Sequence, residues 1–171
     1  VSGATVNMGK AILAPHLVPV ELEPDENGRV VDRKVNIAGN DYNITCVSMG
    51  NPHAVVFMNN VDSLDIDKDE MEGPEFEHDK IFPERVNAEF IKVIDDHTLK
   101  MRVWERGSGE TWACGTGACA AAVAAVLNGF CKKDEEISVI LKGGTLKIRY
   151  TDEAVYLTGD AVTVFSGHIV M

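Results

Sequence analysis

Cys114 stands where a thiol can be made reactive. Ahead of it runs W-E-R-G-S-G-E-T-W-A, residues 104–113, which reads as a strand end followed by a glycine-punctuated loop. Behind it come Gly115, Thr116 and Gly117, then a run of helix formers stopped by Asn128-Gly129. The pattern predicts a helix over residues 116–128, with Cys114 at its N-terminus or one residue before it. Unpaired N–H groups and the positive end of the macrodipole favour an anion at that place. A thiolate there is expected to have its pKa lowered from about 8.5 toward neutrality or below. The two glycines let backbone N–H groups approach a ligand, and those groups could equally hold a carboxylate.

Other residues could join this chemistry. Asn51-Pro52-His53 interrupts an apolar strand with polar side chains, although a lone histidine is more often structural. Glu105-Arg106 ends a strand just before the glycine loop; as a surface ion pair it would contribute little. Asn87 sits in an otherwise strand-like run, where a hydrogen bond along the strand is the plain reading. Cys119 lies among alanines and reads as core, and Cys46 and Cys131 read as structural. His16, His78, His97 and His168 show no metal-ligand spacing, and no cysteine pair matches a zinc motif. No metal site is therefore expected.

Three function classes fit these residues. Cys114 could be an acid/base or nucleophilic centre. It could pair with His53 in a Cys–His hydrolase, which predicts a trapped acyl intermediate. The helix N-terminus alone could serve as an anion-binding module, whose binding would survive Cys114→Ala. Gly115-Thr116-Gly117-Ala118-Cys119-Ala120 also fits a dinucleotide fingerprint. In that motif the glycine follows its strand almost directly, whereas residues 106–114 intervene here, and the chain lacks the expected βαβ alternation.

The elements that must position these groups follow from hydrophobic patterning. Residues 118–127 leave no polar face, so the helix is buried all round. It is about 20 Å long at 1.5 Å per residue, and its small side chains let strands come close. Strands are expected at residues 4–8, 29–37, 42–48, 54–57, 86–94, 99–105, 136–141, 145–150, 154–158 and 162–165. One helical turn fits within 14–19, and a charged surface helix fits 67–78. The fold class is α+β, a mostly antiparallel sheet wrapped around a buried central helix.

Composition sets outer bounds. The chain has 171 residues, enough for one large domain or for one and a fragment of another. Its net charge of −11 argues against nucleic acid and against an anionic membrane surface. No apolar run is long enough to span a bilayer, and no secretory signal opens the chain. The four cysteines are read as reduced and the protein as cytoplasmic. The absence of a starting Met leads us to expect a truncated or processed chain.

The stretch W-E-R-G-S-G-E-T-W-A-C-G-T-G-A-C-A-A, residues 104–121, closely resembles the second active-site motif of the diaminopimelate epimerase family. M-G-N-P-H-A-V-V-F (49–57) resembles the family's N-P-H segment, and F-P-E-R-V-N (82–87) its asparagine-bearing loop. Residues 6–9 resemble the start of the family's second domain. L-T-G-D-A-V-T-V-F-S-G-H-I (157–169) resembles its C-terminal strand, with Asp160 where a proline is usual. The resemblance implies two similar halves, each a sheet around a helix, and an isomerase that interconverts LL- and meso-2,6-diaminopimelate without pyridoxal phosphate or any other cofactor. It implies lysine and peptidoglycan biosynthesis as the setting, and a two-base mechanism in which one cysteine takes the α-proton and another returns one on the opposite face. Carried over by position, Cys114 is one of the two acid/base residues. His53 and Glu105 assist near the reacting centre. Asn51, Asn87 and Arg106 contact the distal end of the substrate, and Gly115 and Thr116 offer N–H groups to the α-carboxylate. A racemase of another amino acid on the same fold is the alternative.

One departure is large. The family's other cysteine lies in an upstream cysteine-glycine-asparagine-glycine motif, which does not occur in this chain. Residues 1–171 are therefore expected to be the C-terminal catalytic domain of a two-domain enzyme. The last segment, from about residue 159, would return toward an absent N-terminal domain. Alone, the chain is expected to be inactive, and its open half-site could drive a homodimer.

Overall fold

The computed structural model describes residues 2–64 and 72–170. Ten strands and two α-helices follow in order: β1 Gly3–Asn7, β2 Arg33–Ile37, β3 Asn40–Ser48, β4 Pro52–Phe57, α1 Glu72–His78, β5 Asn87–Asp95, β6 Thr98–Glu105, β7 Gly109–Glu110, α2 Gly115–Leu127, β8 Glu136–Leu141, β9 Gly144–Tyr150 and β10 Val155–Asp160. They form one sheet in the order β1-β10-β9-β8-β6-β5-β4-β3-β2, with β7 paired to β6. Pairing is antiparallel except at β4–β5 and β6–β8. A parallel pair needs a crossover. Residues 58–86, which include α1, supply the first, and α2 supplies the second. Two βαβ units, β4–α1–β5 and β6–α2–β8, are thus present within a mostly antiparallel sheet, short of the βαβ alternation that a dinucleotide-binding fold requires. The glycines of α2 follow the short hairpin strand β7 and not β6 directly.

The sheet curls round α2, which packs against β3, β4, β5, β6, β8, β9 and β10. Every residue from Gly117 to Ala125 is buried. Strand alternation divides the apolar residues into two cores. Val47, Val55 and Ile91 face α2, whereas Cys46, Ala54, Val56, Ala88 and Phe90 face away, toward Val18, Phe76 and Phe82. Phe76 stands edge-on to both Tyr42 and Phe90. The side chains that will matter, at positions 53, 87 and 89, fall on the α2 face by the same period of two.

The α+β expectation and the buried central helix hold, with the helix one residue earlier at each end. Three details differ. Pro52 and His53 lie inside β4 and not in a break before it. The first of the long strands begins at Arg33, not residue 29. Residues 161–170 form no strand, and Val162, Val164, Phe165, Ile169 and Val170 are exposed. The charged surface helix is described only over Glu72–His78, and there it turns Phe76 and Glu77 into the interior. The expectation for 67–71 lies outside the described residues. No helix among the described residues is long and apolar enough to cross a membrane.

Candidate active site

Cys114 is the N-cap of α2. Its backbone is extended (φ −134°, ψ 108°), and its Sγ accepts the Gly117 N–H at 3.3 Å, in the role usually taken by a Ser or Asp oxygen. The Thr116 hydroxyl lies 3.6 Å from the sulfur. The Ala118 N–H closes the first turn on the Cys114 carbonyl, which leaves the Gly115 and Thr116 N–H groups without an acceptor inside the helix. Gly117 is required by space: a Cβ there would meet Glu89 Oε1 at 2.8 Å and Cys114 Sγ at 3.1 Å.

The expected low pKa is not what this environment produces. Burial pushes the Cys114 thiol up, the charges of Glu89 and Glu105 add to that, and the Thr116 hydroxyl and Gly117 N–H oppose it; the result is about 11. Cys114 is only 6% exposed, so desolvation of a thiolate outweighs the helix end.

Beneath the sulfur lies a pair that the sequence reading missed in part. His53 on β4 and Glu89 on β5 are both fully buried, with Nδ1 and Oε1 2.6 Å apart. The register places His53 opposite Asn87 across the parallel β4–β5 pair, two residues from Glu89 on the same face. The signal for Glu89 was available: a lone acid between Ala88 and the apolar Phe90-Ile91, two positions after Asn87. The other His53 nitrogen, Nε2, is 3.0 Å from Asn51 Oδ1, and Asn51 Nδ2 donates to Thr116 Oγ1 at 3.3 Å. Both imidazole nitrogens are therefore engaged away from Cys114. The Cys–His dyad of a hydrolase is not formed.

A second set of bonds fixes the loop after β6. Asn87 is buried; its Nδ2 donates to the Pro52 carbonyl at 2.7 Å, and its Oδ1 accepts the Arg106 N–H at 2.9 Å. Glu77 of α1 accepts from the Gly107 N–H (2.9 Å), Arg85 Nη1 (3.0 Å) and Trp104 Nε1 (2.7 Å). Arg106 is half-buried, with Nη1 donating to the Glu84 carbonyl at 2.9 Å. The Glu105 carboxylate accepts from the Thr111 hydroxyl. Glu105 makes no bond to His53 or Cys114, yet its charge is felt by both Cys114 and Glu89, which puts it in the same pocket of charge. The structure thus joins Cys114, Thr116, Asn51 and His53 in one hydrogen-bonded set and Asn87 with Arg106 in another. Among the described residues no group of three or more His, Cys, Asp and Glu is placed to hold a metal ion.

Residues 45–164 match the family model described as diaminopimelate epimerase. The chain is 55% identical to the diaminopimelate epimerase of Desulfovibrio desulfuricans, over 98% of this chain and 58% of that protein. It is 46% identical to that of Agathobacter rectalis, over 99% and 60%, and 49% identical to that of Acetivibrio thermocellus, over 96% and 56%. The chain therefore spans less than two thirds of the curated relatives it matches. Two solved structures share the fold at low identity. One is a hydroxyproline epimerase from Agrobacterium vitis (TM-score 0.61, 14% identical, 93% of this chain and 50% of that one). The other is a probable proline racemase from Agrobacterium radiobacter (TM-score 0.62, 13% identical, 99% and 54%). The matched segment contains the capped cysteine, the His53 strand and the Asn87–Arg106 bridge, and by that match this chain belongs to the diaminopimelate epimerase family.

Proposed function

We propose that this chain is the C-terminal catalytic half of an epimerase that interconverts LL- and meso-2,6-diaminopimelate without a cofactor, with Cys114 as one of two acid/base sulfurs. The observation that carries the reading is Cys114 capping a buried helix beside two N–H groups, those of Gly115 and Thr116, that have no acceptor within it. An amino acid α-proton is very weakly acidic, so the base must be strong, close and dry. A thiolate whose conjugate thiol titrates near 11 is a strong base once formed. The free N–H groups would hold the α-carboxylate and stabilise the charge that develops on it when the proton leaves.

In this reading the Cys114 thiolate takes the α-proton and leaves the bonding pair on the substrate, and a second thiol gives a proton to the opposite face. The roles exchange in the reverse direction. Cys46 lies in the core on the far face of the sheet, and Cys119 lies inside α2, so neither is placed to be that second thiol. Cys131 follows the helix and packs in the same core. The second sulfur is assigned to an N-terminal half, toward which residues from about 159 would return. Arg106, with one guanidinium nitrogen used on Glu84, has donors left for a distal carboxylate. Asn51 and Asn87 act at the distal end by exchanging or sharing their present bonds, Glu105 shapes the charge near the reacting centre, and His53 assists through Asn51. The setting is cytoplasmic amino acid biosynthesis, and the chain alone is inactive or self-associates through its open half-site.

The test follows α-proton exchange of 2,6-diaminopimelate in deuterated water by NMR. It compares the chain alone, the chain joined to an N-terminal half from a relative, and that protein with Cys114→Ala. Exchange only in the joined protein, lost on substitution, supports the reading. No exchange in a folded joined protein would sink it.

A further inference from the structure

The bonds around Cys114 run in one direction. Asn51 Nδ2 donates to Thr116, so Asn51 Oδ1 is left to accept, and His53 Nε2 must carry a hydrogen to give it. With Oγ1 accepting from Asn51, the Thr116 hydroxyl hydrogen is free for Sγ. Each donor points toward the sulfur, and the first acceptor or donor in the series is Glu89, whose Oε1 is bonded to His53 Nδ1. The series also closes in space, because Glu89 Oε1 and Cys114 Sγ border the same vacant position beside Gly117. The second carboxyl oxygen, Glu89 Oε2, is buried without any partner. A group kept only for packing would not hold an orphaned carboxyl oxygen, which is costly to bury.

Taking the acid/base role of Cys114 as proposed above, we propose that Glu89 is a positioning residue for that sulfur. Through His53, Asn51 and Thr116 it orients a one-way hydrogen-bond series ending on Sγ, and its own charge sets how readily Cys114 gives up its proton. Burial pushes the Glu89 carboxyl up, the charge and hydrogen bond of His53 oppose that, and a negative charge on Glu89 in turn raises the Cys114 thiol. The other titratable groups around the series are Glu105 on β6, Cys46 on β3 and Cys119 on α2. Glu105 acts with the same sign as Glu89, and the two cysteines are held as thiols by burial.

The experiment follows iodoacetamide alkylation of Cys114 against pH, read at that residue by peptide mass spectrometry. Glu89→Gln can still donate to Nδ1 but carries no charge; its alkylation midpoint is expected to fall by about one pH unit, a tenfold gain in thiolate at fixed pH. Thr116→Val removes the last donor and is expected to raise the midpoint. Nitrogen-15 NMR of His53 in the unsubstituted protein is expected to show a hydrogen on Nε2, the donor that Asn51 Oδ1 requires. This last reading needs no variant to fold. A Glu89→Gln midpoint that is unchanged or higher in a protein of unchanged melting temperature overturns the proposal. So does an unshifted Thr116→Val, or an Nε2 without its hydrogen. None of these readouts uses epimerisation, so failure of the exchange assay would strike the function and leave the series standing.

Discussion

The Asn87 side chain on β5 accepts the backbone N–H of Arg106 at 2.9 Å, which ties the end of β6 to the strand beside it. Its other end is bonded to Pro52, so one buried amide holds three segments of the candidate site together. Asn87→Ala would leave the buried Pro52 carbonyl and the half-buried Arg106 N–H without this partner. It is expected to cost about 1–3 kcal/mol, mostly from the buried carbonyl, since an orphaned buried group costs about that much. Thermal denaturation should show a fall of several degrees; a change within about one degree would show that water replaces the amide at no cost.

Glu77 gathers three donors onto one buried carboxylate, among them the Gly107 N–H in the loop after Arg106. Glu77→Ala removes both acceptor oxygens, so the Gly107 N–H loses its partner along with Arg85 and Trp104. We expect faster amide hydrogen exchange at Gly107 and a loss of about 1–3 kcal/mol. Exchange at Gly107 equal to that of the unsubstituted protein would mean that the loop is held by other contacts.

Glu110 connects Arg102 and Lys142. Burial pushes its carboxyl up, but the hydrogen bonds from Arg102 and Lys142 and their charges outweigh that and hold it below the ordinary carboxylate range. Its folded pKa is depressed, so the stability it supplies is full above the unfolded value of about 4.3 and is lost as pH falls through the folded value. Acid unfolding of Glu110→Gln is therefore expected to be shallower below about pH 4.5 than that of the unsubstituted protein, with lower stability at neutral pH. Parallel curves would count against this assignment.

Cys114 should behave as a thiol at neutral pH. With its pKa pushed up to about 11, alkylation is expected to rise about tenfold per pH unit between roughly pH 7 and 10. A plateau below pH 8 would show that the helix end dominates burial. Gly117→Ala offers a second check. It improves helix propensity, yet a Cβ placed 2.8 Å from Glu89 Oε1 and 3.1 Å from the sulfur must displace one of them. We expect it to destabilise the protein and to alter Cys114 reactivity together.

Much of this molecule is legible in the chain itself. The run from Ala118 to Leu127 has no polar face, so it can only be a helix surrounded by other elements, and it is. The glycines after Cys114 and the stop at Asn128-Gly129 place that cysteine at the helix start within one residue. Period-two alternation assigns most strands. The motif around Cys114 identifies the family because the residue types and their spacing are local and specific.

What the chain does not disclose is decided across the sheet. The partner of His53 is Glu89, 36 residues away, brought beside it by a parallel register that no local pattern encodes. Asn87 reads in the sequence as a strand residue with a hydrogen bond of its own, but which groups it joins, the Pro52 carbonyl and the Arg106 N–H, is set by its burial between strands. The thiol pKa turns on the same distinction. Position in the sequence supplies the helix end, which lowers it, whereas tertiary packing supplies desolvation and the Glu89 charge, which raise it further. Sequence determines which groups sit at the site; how far each is removed from water, and which charge lies behind it, is settled only when the sheet closes round the helix.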